Sequence, residues 1–183
     1  MSDYKRVKLH GGLYFFTVVT FNRRKFLTSE LARSILRQVW KEVQGNHPFD
    51  VEAICLIPDH LHCIWRLPQG DCDYPKRWRL IKGKFSKRYL KAGGSQGVRN
   101  DSRQKKGEFA VWQRRYWEHT IMDDRDFVRH VDYIHINPVK HGYVNKACDW
   151  KWSSFHRYLK LGYYSEGWGC ADIDFADKNE FGE

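Results

Sequence analysis

Residues 50–67 read DVEAICLIPDHLHCIWRL, and this stretch decides the fold. Two runs rich in apolar residues, 50–57 and 60–67, flank a Pro-Asp pair of the kind that forms tight turns. Short apolar runs bounded by a turn signal are typical of paired strands. The stretch therefore predicts an antiparallel β-hairpin.

The second strand of this hairpin carries a His-Leu-His pattern at residues 60–62. Because side chains alternate along a strand, His60 and His62 share one face, with Cα atoms roughly 7 Å apart. Two imidazoles at this spacing can converge on one metal ion. They can equally be solvated polar residues of an exposed sheet face, so the pattern alone leaves both interpretations open.

The flanking sequence completes a split β-α-β order around the hairpin. Hydrophobic patterning and caps predict strands at 13–20 and 109–121 and helices from 28 or 29 to about 45, at 76–91, at 123–141 and at 150–161. Residues 92–108, rich in Gly, Ser, Asn and charge, are predicted to form a mobile loop. We therefore expect an α+β fold of the ferredoxin-like type: an antiparallel sheet with helices on one face, plus a C-terminal helix and tail.

Length and charge suggest one domain, residues 1–161, followed by an acidic tail, residues 162–183. The chain has 183 residues and a net charge of +10, with 32 Lys and Arg against 22 Asp and Glu. The tail holds six acidic residues and one base, so the body carries about +15. A basic body with 16% aromatic residues favours a nucleic-acid partner over a bare membrane surface.

The composition also indicates a compartment. No apolar run approaches the roughly 20 residues that a membrane span needs, and residues 1–10 lack the apolar core of a signal peptide. The five Cys form no C-x-x-C pair, which argues against a disulfide framework or a Cys-rich zinc site. We expect a cytoplasmic protein without a membrane partner.

A second motif, YIHINP, occupies residues 133–138. Helical spacing places His130, Tyr133 and Asn137 on one face. A Tyr beside an apolar stripe is often a core-edge residue, and an Asn before Pro is often a turn or cap residue. Pro138 disfavours α geometry at Asn137, so the helix is expected to kink or restart there.

Together these motifs resemble the HUH (His-hydrophobic-His) single-tyrosine endonucleases, and most closely the REP-associated tyrosine transposases of bacteria. The resemblance covers about residues 5–160. It is carried by GLYFFT at 12–17, PDHLH at 58–62, VWQRRYWEH at 111–119, YIHINPVKHG at 133–142 and WKWSS at 150–154. The last two blocks are specific to this group, whereas the His-x-His pair alone is not. The acidic tail matches no motif of the family.

The resemblance implies a metal-dependent single-strand DNA endonuclease and strand transferase that acts on REP-type hairpins. Tyr133 would attack a phosphodiester, leaving a 5′-phosphotyrosine link and a free 3′-OH, and the covalent bond would conserve the energy for rejoining. His60 and His62 would bind Mg²⁺ or Mn²⁺, with Asn137 as the third ligand. The base for Tyr133 is unassigned. Three histidines, each with packing or DNA contact as its alternative, are candidates: His119, His130 and His135.

Eight Lys and Arg residues fall within 76–91 without an intervening acid, which favours phosphate contact over a merely solvated helix face. The expected DNA-binding surface also includes an N-terminal arm and the two arginines of the predicted fourth strand. These two arginines point to opposite faces of the sheet. The predicted DNA contacts are Arg6, Lys82, Lys87, Arg88, Arg114 and Arg115.

The partner is then a single-stranded DNA hairpin, bound by a nucleoid-associated monomer, with a helix-swapped dimer as the alternative. The acidic tail is either a restraint on the DNA site or a passive solubilising end. The rival function is a non-catalytic structured nucleic-acid-binding module of the same fold.

Overall fold

The computed structural model describes residues 9–170, so Arg6 and the last part of the acidic tail lie outside the described residues. Four strands form one antiparallel sheet in the order β2-β3-β1-β4. The strands are β1 (Leu13–Val19), β2 (Asp50–Leu56), β3 (His60–Arg66) and β4 (Trp117–Ile121). This confirms the predicted α+β, ferredoxin-like class, and β2 and β3 form the expected hairpin.

Helices connect and cover the strands: α1 (Glu30–Asn46), α2 (Tyr74–Lys91), α3 (Asp101–Lys105), α4 (Asp124–Lys140) and α5 (Phe155–Lys160). Their ends follow local signals in the sequence. The Ser29 side chain accepts the N–H of Ala32 at the start of α1, and the Asp123 side chain accepts the N–H of Asp126 at the start of α4. Gly142, with φ at +69°, ends α4 as predicted.

Both faces of the sheet carry buried apolar residues, so the sheet is covered on both sides. Alternate residues of β1, Tyr14 and Phe16 among them, pack against α1 and α2. Phe15 points the other way and packs with Val131 and Ile134 of α4. The prediction of helices on one face therefore holds for α1 and α2, whereas α4 covers the opposite face.

The predicted fourth strand, 109–121, is too long, because β4 begins only at Trp117. The preceding segment pairs with the end of β1 only at an isolated Thr20–Trp112 bridge, and two basic side chains bind four of its backbone carbonyls. The Arg103 guanidinium donates to the carbonyls of Phe109 and Trp112, and Lys82 Nζ donates to those of Gln113 and Arg114. Residues 109–116 therefore cross the end of the sheet as an irregular segment, and Arg114 and Arg115 are not strand residues.

The predicted mobile loop, 92–108, is also wrong in part, because it contains α3. The Asn100 side chain caps this helix by accepting the N–H of Arg103. Arg103 itself is buried, at 6% exposure, and anchors the segment to the domain.

The described start of the predicted tail, residues 162–170, packs against the domain. Tyr164 Oη donates to Asp132 Oδ1 at 2.7 Å, and the Tyr164 and Trp168 rings stack with centroids 4.2 Å apart. The rest of the tail, 171–183, lies outside the described residues. Within 9–170, no helix is long and apolar enough to cross a membrane.

Candidate active site

The His-x-His pair lies on β3, on the sheet face that α4 covers. His60 and His62 are both fully buried, at 0% exposure, and their ring centroids are 4.7 Å apart. The interpretation of this pair as solvated residues on an exposed face is therefore wrong. Burial instead places two imidazoles side by side in a space with little water.

Each imidazole is held at Nδ1 by an oxygen of a neighbouring side chain. Thr17 Oγ1 lies 2.9 Å from His62 Nδ1, across the β1–β3 register that pairs these two residues. Asp59 Oδ1 lies 2.7 Å from His60 Nδ1. Oxygen partners at the far ring nitrogen are typical of metal-binding histidines, because they fix the ring orientation. Asp59 and Thr17 were part of the quoted sequence motifs, but the sequence assigned no role to either.

Asp59 is itself fixed by the turn between β1 and α1. The Arg23 guanidinium lies 3.1 Å from Asp59 Oδ2, and Arg23 adopts a left-handed φ of +49°, which is uncommon outside glycine. Burial alone would raise the pKa of Asp59, but the hydrogen bond and charge of His60, together with Arg23, lower that pKa to about 2. Asp59 is therefore a carboxylate at neutral pH, and it acts on His60 as a fixed anionic acceptor.

Helix α4 places Asn137 and Tyr133 opposite the histidines. Asn137 Oδ1 lies 3.3 Å from His60 Nε2, and the Tyr133 and His62 ring centroids are 5.3 Å apart. The helix does not restart at Pro138, because α4 runs without a break to Lys140. Pro138 lies in the last turn of α4, and only Val139 and Lys140 follow it in the helix. Four-residue helical spacing therefore brings both side chains to the histidine pair.

Two residues at the end of α4 reach the same site, although the sequence analysis gave them no role. Lys140 Nζ donates to Tyr133 Oη at 3.1 Å and lies 4.5 Å from the centroid of that ring. The His141 ring lies 5.1 Å from that of His60. The sequence did contain a signal for Lys140. It lies seven residues after Tyr133, which is two helical turns and therefore the same face of the helix.

The three histidines that were candidate bases for Tyr133 lie in two places, both outside the cluster of His60, His62, Tyr133 and Asn137. His135 lies two residues from Tyr133, on the other side of α4, where its ring contacts Tyr164 Oη at 3.0 Å and Ser154 Oγ at 2.8 Å. It is therefore a packing residue rather than a base. His119 and His130 instead contact Asp126, at the N-terminal end of α4.

Comparison with known proteins agrees with this geometry. A family model described as "Transposase IS200 like" matches residues 8–137, which include Tyr133, Asn137 and the histidine pair. The chain is 41% identical over 177 residues to the "REP-associated tyrosine transposase" of Escherichia coli, with 96% of each chain covered. It is 43% identical over 169 residues to a Haemophilus influenzae protein provisionally given the same name, covering 92% of this chain and 94% of the relative.

A solved structure titled as a REP-associated tyrosine transposase bound to a REP hairpin superposes with a TM-score of 0.78. Its sequence is 40% identical, and the match covers 100% of this chain and 98% of that one. This chain belongs to the REP-associated tyrosine transposases. The family is one of DNA-processing enzymes, in agreement with the basic composition.

Arg6 lies outside the described residues, and the other predicted DNA contacts of this transposase family member fall on the α2 side of the sheet, away from Tyr133. They are Lys82, Lys87, Arg88, Arg114 and Arg115. A groove of about 540 Å³ there, which we term the basic groove, is lined by five basic and four aromatic side chains. These are Arg79, Lys82, Arg103, Arg114, Arg115, Trp78, Phe109, Trp112 and Tyr116. Cationic and aromatic side chains in one groove suit a single-stranded nucleic acid.

The individual basic side chains differ in how far they are engaged within the protein. Arg115 and Lys87 are exposed. Arg88 pairs with Glu42 at 2.6 Å, Arg114 pairs with Glu108 at 2.6 Å, and Lys82 donates to backbone carbonyls. Burial lowers the pKa of Lys82 to about 8, in the same direction as the nearby Arg103 charge. Lys82 therefore anchors the segment 113–114 as well as lining the groove.

Proposed function

We propose that this protein is a metal-dependent single-strand DNA endonuclease and strand transferase that acts on REP-type hairpins through a 5′-phosphotyrosine intermediate. The observation that carries the proposal is the convergence of four side chains from two elements. His60 and His62 of β3 meet Tyr133 and Asn137 of α4 in one buried cluster. A nucleophile, two imidazoles and an amide oxygen are the components that such a reaction requires.

The substrate class is supported by two independent features. The relative that shares the fold at 40% identity was solved with a REP hairpin. In this chain, the basic groove combines guanidinium and ammonium groups with the partly exposed aromatic rings of Phe109 and Tyr116. Phosphates bind the cationic groups, and unpaired bases stack on aromatic rings. A hairpin with a single-stranded flank presents both kinds of partner.

The donor set fits a divalent metal ion. His60 Nε2 and Asn137 Oδ1 are 3.3 Å apart, a separation suited to two ligands of one ion with bonds of about 2 Å. The Nδ1 atoms of both histidines are already held by Asp59 and Thr17. His60, His62 and Asn137 would hold Mn²⁺ or Mg²⁺, because the amide oxygen suits either ion and imidazole favours Mn²⁺. A bound ion would supply Lewis-acid stabilisation of the negative charge on the scissile phosphate.

Tyr133 is the proposed nucleophile, and its ionisation is the chemical difficulty. A free Tyr has a pKa of about 10, so forming the phenolate at neutral pH costs roughly 4 kcal/mol. The Lys140 ammonium, 3.1 Å from Tyr133 Oη, stabilises the phenolate by a charge-assisted hydrogen bond. In the proposed step the phenol loses its proton and Tyr133 Oη bonds to phosphorus. The bond from phosphorus to the 3′ oxygen breaks, and the 3′ oxygen takes up one proton, so that no proton is gained or lost overall.

Access to the nucleophile requires a local rearrangement. Tyr133 is only 3% exposed, and Lys140 contacts its oxygen. A phosphodiester is an anion, and it offers the Lys140 ammonium a stronger partner than a neutral phenol. We propose that the arriving phosphate draws Lys140 toward itself, which uncovers Tyr133 Oη and leaves the cation beside the reacting groups.

The test is a covalent-adduct assay with a labelled single-stranded REP hairpin and Mn²⁺, analysed on a denaturing gel. Wild-type protein should form a covalent band, and EDTA should abolish it. Tyr133→Phe should lose the band and retain hairpin binding, whereas Tyr163→Phe, at a 71% exposed position, should behave as wild type. Hairpin binding without any adduct from the wild type would instead establish the rival, a non-catalytic binding module.

A further inference from the structure

A second cluster of metal-binding side chains lies outside the candidate active site. His119 of β4 and Asp126 and His130 of α4 place three potential ligand atoms within 4.8 Å of one another. His119 Nε2 is 2.8 Å from Asp126 Oδ2, and His130 Nδ1 is 2.9 Å from Asp126 Oδ1. The cluster therefore brings two imidazoles to the two oxygens of one carboxylate.

The fold positions all three side chains with little freedom. His119 pairs with Phe15 in the β1–β4 register, which puts its ring on the face that α4 covers. Asp126 and His130 are four residues apart on α4, so they lie one above the other. The N–H of Met122 donates to Asp126 Oδ2 at 3.0 Å and fixes that carboxylate. The two imidazole rings are nearly parallel, at 11°, with centroids 4.5 Å apart.

We propose that His119, Asp126 and His130 form a second metal site, for a transition ion of the Zn²⁺ class, which fastens β4 to the first turns of α4. Two imidazoles and one carboxylate are a donor set that suits Zn²⁺ and disfavours Mg²⁺, which prefers oxygen ligands. Side-chain exposure of 35% at His119, against 1% at His130, gives an ion a route in from solvent.

This site is distinct from the one formed by His60 and His62, and the Phe15 ring contacts both. Its centroid lies 4.8 Å from that of His130 and 5.7 Å from that of His62. Tyr133 follows His130 by three residues on α4, and its ring is 6.2 Å from that of Phe15. An ion at the second site would therefore hold the N-terminal part of the helix that carries the proposed nucleophile.

The competing interpretation is a hydrogen-bonded His-Asp-His group that binds no ion. His130 Nδ1 also lies 2.9 Å from the backbone carbonyl of Asp126, a contact that an N–H can make without a metal. The two interpretations differ in the amount of Zn²⁺ that the folded protein retains, and this quantity does not depend on cleavage. Failure of the nuclease proposal would change the number of ions bound at the first site, but not the one ion that depends on Asp126.

The experiment is equilibrium dialysis of full-length protein against Zn²⁺, followed by elemental analysis, with folding checked by circular dichroism. Wild type should retain two ions per chain, and His60→Ala with His62→Ala should retain one. Adding Asp126→Asn, which preserves side-chain shape, should remove the remaining ion, whereas adding His10→Ala, at an exposed position, should not. Absence of Zn²⁺ from the double variant, or equal retention with and without Asp126→Asn, would overturn the proposal.

If the double variant does not fold, Asp126→Asn in the wild-type background gives the same answer. It should lower the retained Zn²⁺ from two ions to one and remove part of the rise in Tm that Zn²⁺ causes, because a ligand bound only by the folded state stabilises it. An unchanged count of two ions would contradict the second site directly.

Discussion

Lys140 Nζ donates a hydrogen bond to Tyr133 Oη at 3.1 Å. Lys140 lies two helical turns after Tyr133, on the same face of α4. The chain reverses immediately after this lysine. The N–H of Tyr143 donates to the carbonyl of Pro138, and the N–H of Gly142 donates to that of Val139. This paired bonding is the Schellman arrangement of a helix end. The end of α4 thus holds a cation at the proposed nucleophile.

We expect Lys140→Met to slow adduct formation by about 10- to 100-fold, because a hydrogen bond from a charged donor is worth about 1.5–3 kcal/mol. The pH at which the rate is half-maximal should also move upward, since the phenolate loses its cationic partner. Single-turnover rates across a pH series measure both effects. Lys140→Arg keeps the charge and should restore part of the rate. A rate loss with an unchanged pH profile would assign Lys140 to packing alone.

A second prediction concerns the hydroxyl that holds His62. Thr17→Val keeps the side-chain shape at this 1% exposed position and removes the oxygen that lies 2.9 Å from His62 Nδ1. Partners of this kind are worth about 10- to 100-fold in metal affinity or activity. The Mn²⁺ concentration that half-saturates cleavage should rise by that factor, and Thr17→Ser should resemble wild type. Equal Mn²⁺ dependence in Thr17→Val and wild type would contradict the assigned role.

The third prediction is that one chain contains a complete site. Helix α4 packs on β2 and β3 of its own chain, and Asn137 contacts His60 within that chain. A mixture of Tyr133→Phe and His60→Ala proteins should therefore remain inactive in the adduct assay. Recovery of activity in the mixture would show that α4 is exchanged between subunits and that a dimer is the active species.

How far the sequence predicts this site depends on the range of the interactions. Strand alternation and helical spacing are local rules: the first put His60 and His62 on one face of β3, and the second put Tyr133 and Asn137 on one face of α4. That these two faces meet was implied by the family resemblance and by neither local rule. The role of Thr17 depends on the β1–β3 register, which joins residues 45 positions apart. A short sequence motif carries no information about such a pairing, so the partner of His62 was visible only in the structure.

The two errors in the fold have different origins. Residues 109–116 have the composition of a strand, but they pair with the end of β1 only at the Thr20–Trp112 bridge, and the side chains of Lys82 and Arg103 bind four of their carbonyls. The side of the sheet on which α4 packs was indicated by the sequence and missed. Phe15 and Phe16 are consecutive aromatic residues of β1, and both are fully buried. A strand that is apolar on both faces requires cover on both sides.

A fourth prediction uses the burial of His135. Burial lowers the pKa of His135 to about 3, with Arg157 and His156 acting in the same direction. The unfolded chain, with a His pKa of about 6.5, therefore binds a proton between these values that the folded chain does not. The free energy of unfolding should fall as the pH falls through this window, by at most about 1.4 kcal/mol per pH unit from this residue.

Urea unfolding between about pH 7 and pH 4.5 tests this dependence. His135→Gln removes the titrating group and keeps hydrogen-bonding atoms near Ser154 and Tyr164, so its stability should depend less steeply on pH. At the acidic end of the series, the slopes of unfolding free energy against pH for wild type and His135→Gln should differ by the equivalent of nearly one proton. Parallel curves for the two proteins would show that His135 takes up its proton at the same pH in the folded and the unfolded chain, and would contradict the lowered pKa.

The last prediction concerns the basic face of α2, where Glu42 of α1 neutralises two cations. Lys84 Nζ and Arg88 Nη2 each lie 2.6 Å from a Glu42 oxygen, and these hydrogen bonds lower the pKa of that carboxyl. If α2 contacts phosphates, Glu42→Gln should tighten hairpin binding, most strongly at low salt, because both cations are released for the DNA. The slope of log affinity against log salt should steepen by about one to two, as for one or two added phosphate contacts.

Glu52→Gln is the matched control, since Glu52 pairs with Arg66 on the neighbouring strand of the hairpin. Equal affinity and slope for Glu42→Gln and wild type would place the DNA elsewhere on the protein, and Lys87→Ala should then also bind as wild type.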